Sequence, residues 1–213
     1  GKDTCMMILI GTMAFAAAIP AALYLPYARR KPSVFRTVIK TLPLSIFALI
    51  ALVTGAPWLL VAALALSVLG DACLAQEGEI SFLAGLGSFL LAHIAYAVIF
   101  FTRGSGWEAA SIVVLAAIIV FSLAYGSFLV WKAGQLAVPV AIYVLAIAVM
   151  GFGAATYGGL VLLGAACFMA SDAILGAEKF VLADDHRLLN LSAPAIWILY
   201  FAGQALILYG FMT

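Results

Sequence analysis

The feature that most constrains this chain is a succession of long apolar runs separated by short polar or Gly/Pro breaks. A bilayer core about 30 Å thick needs about 20 mostly apolar residues per helix. The predicted breaks include Gly151 to Thr156 and Gly176 to Leu188. Eight runs are long enough, and they cover approximately residues 4–28, 33–54, 57–75, 80–102, 107–131, 135–152, 156–176 and 189–212.

Composition and pattern exclude a soluble fold. The chain is 67% hydrophobic and 9% charged, whereas soluble domains carry about 25% charged residues. The runs are apolar all round and lack the alternation of barrel strands, and helices are the remaining structure that satisfies the backbone in lipid. The sequence therefore predicts an all-α polytopic membrane protein with about eight transmembrane helices, in a single domain over residues 1–213.

Lysine and arginine fall mostly on one side of this predicted layout. Cytoplasmic loops are enriched in these residues, and the opposite side holds only Lys2 and Arg103. We therefore expect both termini outside, and the inner membrane if the source is bacterial. A net charge of +1 offers no basic surface for nucleic acid. The richer side holds Arg29, Arg30, Lys31, Arg36, Lys40, Lys132, Lys179 and Arg187.

The two halves of the chain resemble each other. An Asp-Ala-x-Leu pattern begins at Asp71 in the third run and at Asp172 in the seventh, and a proline stands near the start of the second and sixth runs, at Pro43 and Pro139. A repeat of four helices would be parallel, with its axis along the membrane normal. The half-repeats would cover residues 1–103 and 104–213.

Asp71 and Asp172 are the carboxylates that lie clearly inside predicted runs, each about one turn from the predicted cytoplasmic end. Intramembrane carboxylates mark functional sites by default. The alternative is a helix-end residue with a backbone amide or lysine partner. If the repeat brings the two together, they cannot both ionise cheaply, so one keeps its proton while the other is ionised. Such a pair can donate and accept protons as catalytic groups.

Other polar side chains inside the runs could line the same cavity, although each could equally bond a neighbouring helix. The predicted depth of His93, roughly 20 Å from the start of its helix, requires a deep pocket if it is to meet the carboxylates. These candidates are His93, Tyr96, Tyr143, Tyr200 and Gln204.

Two lysines are candidates to bind the phosphate of a lipid headgroup. Lys40 stands at the start of the second run, where its ammonium group could snorkel to the interface, and Lys179 follows the seventh run. Their alternative role is to set topology and contact anionic lipids. Two histidines, with His186 in a predicted loop, and three cysteines without CxxC spacing favour neither a metal site nor a disulfide framework.

Several short motifs follow one another along about four-fifths of the chain. They are Lys40, Gly70-Asp71-x-x-Leu74, Phe82-x-x-Gly85, Phe89-x-x-Ala92-His93-x-x-Tyr96, Tyr143, Met150, Gly164-x-x-x-Phe168-x-x-Ser171-Asp172-x-x-Leu175, Lys179-Phe180 and Tyr200-x-x-x-Gln204. In this order the motifs are fairly specific, and the sequence resembles the YhhN-like lysoplasmalogenase family of multi-pass membrane proteins. One departure is Thr41 directly after Lys40, where the family tends to have proline.

The resemblance implies hydrolysis of the vinyl-ether bond of a lysophospholipid substrate to a fatty aldehyde and a glycerophospho-alcohol, without a cofactor. Asp71 and Asp172 would be catalytic, and Ser171 would join the polar and basic candidates as a substrate-binding residue. The substrate would enter from the cytoplasmic leaflet among the membrane lipids. A proton-coupled transporter using the same carboxylates and a non-catalytic lipid-binding protein are the alternatives.

Overall fold

The computed structural model describes residues 2–183 and 187–213, without the side chains of residues 2–6 and 9. His186 and the side chain of Cys5 lie outside this description. Over the described ranges all regular structure is helical. The α-helices are α1 Lys2–Tyr24, α2 Val34–Val53, α3 Trp58–Leu74, α4 Glu79–Arg103, α5 Ile112–Phe121, α6 Ser127–Lys132, α7 Ala137–Tyr157, α8 Gly159–Phe180 and α9 Leu189–Gly210.

In the part of the chain that the structure describes, seven helical segments are long and apolar enough to cross a membrane. The fifth of the eight predicted spans corresponds to Ile112–Lys132, which contains α5, a π-helical turn at Ser122–Gly126 and α6. Helix α3 is apolar but has 17 residues, which at 1.5 Å per residue is about 25 Å. The prediction of an all-α membrane protein with about eight spans is confirmed. The protein is an integral membrane protein.

Two predicted breaks begin too early in the sequence. Helix α7 continues through Gly151 to Thr156 and ends at Tyr157, before Gly158 and Gly159 with φ of 81° and 53°. Helix α8 likewise continues past Gly176 to Phe180. Glycine inside these helices serves close packing, because a Cβ at Gly151 would lie 2.9 Å from Met169 Sδ and one at Gly176 would lie 2.6 Å from Leu129 Cδ1. Packing therefore outweighs the low helix propensity of glycine.

The chain forms two compact units, Gly1–Ala92 and His93–Thr213. The first contains α1, α2, α3 and residues 79–92 of α4. The second contains residues 93–103 of α4 and the helices α5 to α9. The predicted half-repeats at 1–103 and 104–213 remain a prediction.

Arg36 organises one end of the first unit. Its guanidinium donates to the carbonyl oxygens of Ala75 at 2.6 Å, Ala28 at 3.0 Å and Tyr27 at 3.1 Å. Ala75 caps the end of α3, where helix carbonyls lack partners within the helix. The expectation that Arg36 serves as a topology charge needs correction, because the residue is 9% exposed and satisfies buried backbone.

Helices α8 and α9 are the most closely packed pair in the second unit. A Cβ at Gly164 would lie 2.7 Å from Gly203 O, and one at Gly203 would lie 2.8 Å from Gly164 O, so the two backbones touch. Ser171 adds a hydroxyl bond of 2.9 Å to Ile196 O. Small residues and hydroxyl bonds are the usual means of joining helices in membranes. Several candidate residues lie on these two helices.

Gly164→Ala is expected to destabilise the protein, because the new methyl group would overlap the backbone of Gly203. Overpacking of this kind costs about 1–3 kcal/mol in the free energy of unfolding. The thermal unfolding midpoint in detergent measures the effect. Gly87→Ala is the matched control, since a Cβ there meets nothing within 4 Å. Equal midpoints for the two variants would contradict the contact.

Candidate functional site

Asp71 lies in a buried group of charged and aromatic side chains, here called the Asp71 cluster, composed of Tyr24, Arg36, Lys40 and Asp71. Lys40 Nζ lies 3.6 Å from Asp71 Oδ1 and 6.0 Å from the centre of the Tyr24 ring. Arg36 Nη2 donates to the Tyr24 hydroxyl at 3.4 Å. Because Arg36 and Lys40 are four residues apart on α2, they share one face of that helix. The cluster places the ammonium group of Lys40 beside the Asp71 carboxyl group.

Lys40 does not snorkel to the interface as expected. The residue is 8% exposed, and its ammonium group is directed to Asp71, which is 2% exposed. A charge buried in low dielectric needs a counter-charge, and the pairing satisfies that need for both residues. Asp71 is three residues before the end of α3, as the sequence predicts.

Asp172 lies in a second group, the Asp172 cluster, composed of His93, Tyr143, Phe168 and Asp172. The Tyr143 hydroxyl donates to Asp172 Oδ2 at 3.1 Å, and His93 Nε2 lies 3.2 Å from the same oxygen. The His93 ring packs on Phe168, with 4.6 Å between the ring centres, and against Tyr143 at 5.2 Å. His93 is fully buried. Two polar groups thus meet one carboxylate oxygen.

A wrong helix boundary accounts for part of the difference in predicted depth between His93 and Asp172. Helix α8 ends at Phe180 rather than at residue 176, so Asp172 is eight residues from the end of its helix. At 1.5 Å per residue that is about 12 Å, or two turns. The deeper position brings Asp172 within reach of His93.

A buried tyrosine–glutamine pair adjoins the Asp172 cluster. The Tyr96 hydroxyl donates to Gln204 Oε1, and both residues are fully buried. Tyr96 follows His93 by three residues on α4, so the two share a helix face. Phe168 contacts the rings of Tyr96 and Tyr200, with ring centres 6.4 and 5.3 Å apart. Phe168 therefore connects three of the predicted candidates.

The remaining candidates are placed differently. The Ser171 hydroxyl donates to Ile196 O, so it joins α8 to α9. Lys179 is exposed in the last turn of α8. Asp71 belongs to the first unit and Asp172 to the second. The predicted pairing of the two carboxyl groups therefore stays a prediction.

The candidates do not include three members of these clusters, Tyr24, Arg36 and Phe168, or a residue beside the Asp172 cluster, Tyr125. In the sequence, Arg36 indicates only a topology charge, and Phe168 is only part of a motif. Tyr125 is absent from the predicted site, although its hydroxyl donates to Ala173 O at 2.7 Å. A tyrosine in the middle of an apolar run is a usable signal, because its hydroxyl must find a partner there. Burial of Phe168 between other rings carries no such signal.

Comparison with known proteins agrees with these motifs. A sequence model described as the YhhN family matches residues 35–211. The chain belongs to the YhhN family. The match includes all ten candidate residues, from Lys40 to Gln204, and it confirms the resemblance found in the sequence.

Two similar proteins are named lysoplasmalogenase. They come from Mycobacterium bovis (strain ATCC BAA-935 / AF2122/97) and Mycobacterium tuberculosis (strain CDC 1551 / Oshkosh). Each is 34% identical to the chain over 163 residues, which is 71% of this chain and 59% of the mycobacterial protein. This YhhN-family chain thus spans about three-fifths of the length of those relatives. No solved structure matches it significantly.

The Lys40–Asp71 contact predicts non-additive effects on stability. Lys40→Met removes the counter-charge of a buried carboxylate and is expected to cost roughly 3–5 kcal/mol in the free energy of unfolding. The double variant Lys40→Met/Asp71→Asn removes both charges and is expected to recover at least half of that loss. A double-mutant cycle in detergent measures the coupling, and strict additivity of the two single effects would contradict the pair.

Proposed function

We propose that this chain hydrolyses the vinyl-ether bond of lysoplasmalogens, the alkenyl-glycerophosphocholines and alkenyl-glycerophosphoethanolamines. The products are a fatty aldehyde and a glycerophospho-alcohol, and no cofactor takes part. Family membership and the name of the two mycobacterial relatives support this substrate class. The observation that carries the proposal is a carboxyl group inside membrane helices, Asp172, whose Oδ2 accepts a hydrogen bond from Tyr143 and lies 3.2 Å from His93 Nε2.

Vinyl ethers resist nucleophiles and yield to acid. Transfer of a proton to the β-carbon of the double bond produces an oxocarbenium ion, and water then adds to the cationic carbon and loses a proton. The resulting hemiacetal breaks its bond to the glycerol oxygen, which takes up a proton, and leaves the aldehyde. One water is consumed overall. The reaction needs an acid, a base and nearby negative charge, and carboxyl groups can supply all three.

The local partners suggest different roles for the two carboxyl groups. Asp172, with Oδ2 against His93 and Tyr143, acts as the acid and delivers the proton from Oδ1. A protonated carboxyl group can accept hydrogen bonds at its carbonyl oxygen while its other oxygen donates. Asp71 stays ionised beside Lys40, where its charge stabilises the oxocarbenium ion and it serves as base for the water.

Substrate binding falls to the other candidate residues. Lys179, exposed at the end of α8, binds the headgroup phosphate as a point charge, and Lys40 contributes positive potential through the Asp71 cluster. The polar side chains of Ser171, Tyr96, Tyr200 and Gln204 line the approach to the reacting bond. The alkyl tail of the lysophospholipid lies among apolar helix faces and membrane lipids.

Replacing either carboxyl group tests this chemistry. Asp71→Asn and Asp172→Asn are each expected to lower aldehyde release from lysoplasmalogen by 100-fold or more, within the range of about 10²–10⁴ for acid–base groups. Aldehyde is measured with purified, folded protein, and Glu108→Gln, at an exposed position, is the control. In heavy water the wild-type aldehyde should carry one deuterium at C2. Near-normal activity of either variant, or unlabelled aldehyde, would contradict the mechanism.

A proton-coupled transporter is the second candidate, and one observation favours it. The π-helical turn Ser122–Gly126 interrupts the fifth span, and irregular spans mark many transport sites. A widened turn remains helical, however, unlike the unwound segments of transporters. Release of no aldehyde together with solute movement across liposomes would favour transport over hydrolysis.

We also propose that both termini lie outside and that the active site is toward the cytoplasm. Arg36 and Lys40 are buried. The exposed lysines and arginines still lie mostly on the proposed cytoplasmic side, and Arg103 lies on the outer side. This distribution follows the positive-inside rule. The exposed basic residues on the proposed cytoplasmic side are Arg29, Arg30, Lys31, Lys132, Lys179 and Arg187.

Labelling of introduced cysteines tests the orientation. In a variant whose native cysteines are replaced by serine, Arg103→Cys should react with a membrane-impermeant maleimide in intact cells. Lys31→Cys should react only after the cells are opened. The reverse pattern would invert the proposed topology.

A further inference from the structure

The π-helical turn Ser122–Gly126 lies between α5 and α6 within one apolar span. Such turns carry one extra residue and occur frequently at functional sites. This span contains no proline to cause the irregularity. The contacts of the turn therefore have to account for it.

The turn contacts α8 directly beside Asp172. The Tyr125 hydroxyl donates to Ala173 O at 2.7 Å, and Ala173 is the residue that follows Asp172. A backbone carbonyl can accept a second bond in addition to its helical one. The Tyr125 ring is stacked on Phe121, with 5.3 Å between ring centres and 22° between planes, which limits the positions that the hydroxyl can reach.

The turn also contacts α7 directly beside Tyr143. A Cβ at Gly126 would lie 2.5 Å from Val144 Cγ1, and Val144 is the residue that follows Tyr143. The Tyr143–Asp172 hydrogen bond of 3.1 Å joins the same two helices. Neighbouring residues of the π-helical turn thus contact each helix one residue from a member of the Asp172 cluster.

We propose that Tyr125 is a positioning residue for Asp172, and that the π-helical turn holds α7 and α8 so that the Tyr143 hydroxyl reaches Asp172 Oδ2. Removing the extra residue would rotate the chain that follows by about 100°, and Tyr125 and Gly126 could not make both contacts. The consequence for catalysis rests on the proposed hydrolysis. The consequence for the geometry of Asp172 does not.

Tyr125→Phe tests the proposal with minimal change in volume. We expect kcat for aldehyde release to fall about tenfold, because small displacements of a reacting group reduce rates strongly. KM should stay within about twofold, and the thermal midpoint within about 2 °C, since one interhelical bond is a small part of the stability. Tyr209→Phe, at a residue 53% exposed, is the control. A kcat within twofold of wild type would overturn the catalytic part.

A spectroscopic measurement separates this proposal from the proposed function. In protein labelled with ¹³C at the aspartate carboxyl carbon, the Asp172 resonance is assigned by its absence in Asp172→Asn. Tyr125→Phe should shift this resonance, and Tyr209→Phe should not. A shift in a protein that hydrolyses no lysoplasmalogen would support the positioning role while the hydrolase fails. An unshifted resonance would overturn the positioning role.

A pair of size variants tests the contact with α7. Gly126→Ala places a methyl group against Val144 and should shift the Asp172 resonance and lower kcat. Gly126→Ala/Val144→Ala restores the space and should return both towards the wild-type values. Failure of the second substitution to restore the resonance would overturn the role of the turn in spacing α7 and α8.

Discussion

A carboxylate among apolar helices must be compensated, and both clusters depend on this constraint. The free energy of an isolated charge in low dielectric is too high for a marginally stable fold. Asp71, which is ionised in the proposed mechanism, pairs with Lys40, whereas Asp172, the proposed acid, accepts a hydrogen bond from Tyr143 and lies beside His93. In each case a partner comes from the helix that precedes the aspartate-bearing helix among the eight spans. Compensation therefore joins neighbouring helices as well as lowering the cost of the charge.

Close backbone packing lies beside several residues of the site. Gly164 and Gly203 bring α8 and α9 into backbone contact, and Phe168 and Gln204 lie on those helices within one turn of the glycines. In the first unit, Arg36 satisfies a carbonyl oxygen at the end of α3. Residues of both units thus lie beside backbone that is closely packed or hydrogen-bonded.

Prediction from sequence was most successful where the signal is local. Long apolar runs predict helices because the bilayer sets their length, and Asp71 and Asp172 are conspicuous because charges inside such runs are costly. The errors occurred where tertiary contacts outweigh local preference. Gly151 and Gly176 predict the starts of breaks, yet each lies inside a helix, where a neighbouring side chain occupies the space that its missing Cβ leaves. Lys40 was expected at the interface and instead pairs with Asp71.

An all-helical membrane protein of about eight spans, its family and its intramembrane carboxylates can all be identified from the sequence. These properties depend on composition, on the length of the apolar runs and on the order of the motifs, which a single sequence contains. The folded chain was needed to show that Lys40 faces Asp71, that Tyr143 and His93 lie at one oxygen of Asp172, and that Tyr125 reaches Ala173 from a π-helical turn. Helices that are apolar on all sides contain no periodic signal of which face meets which neighbour, so these pairings follow from packing alone.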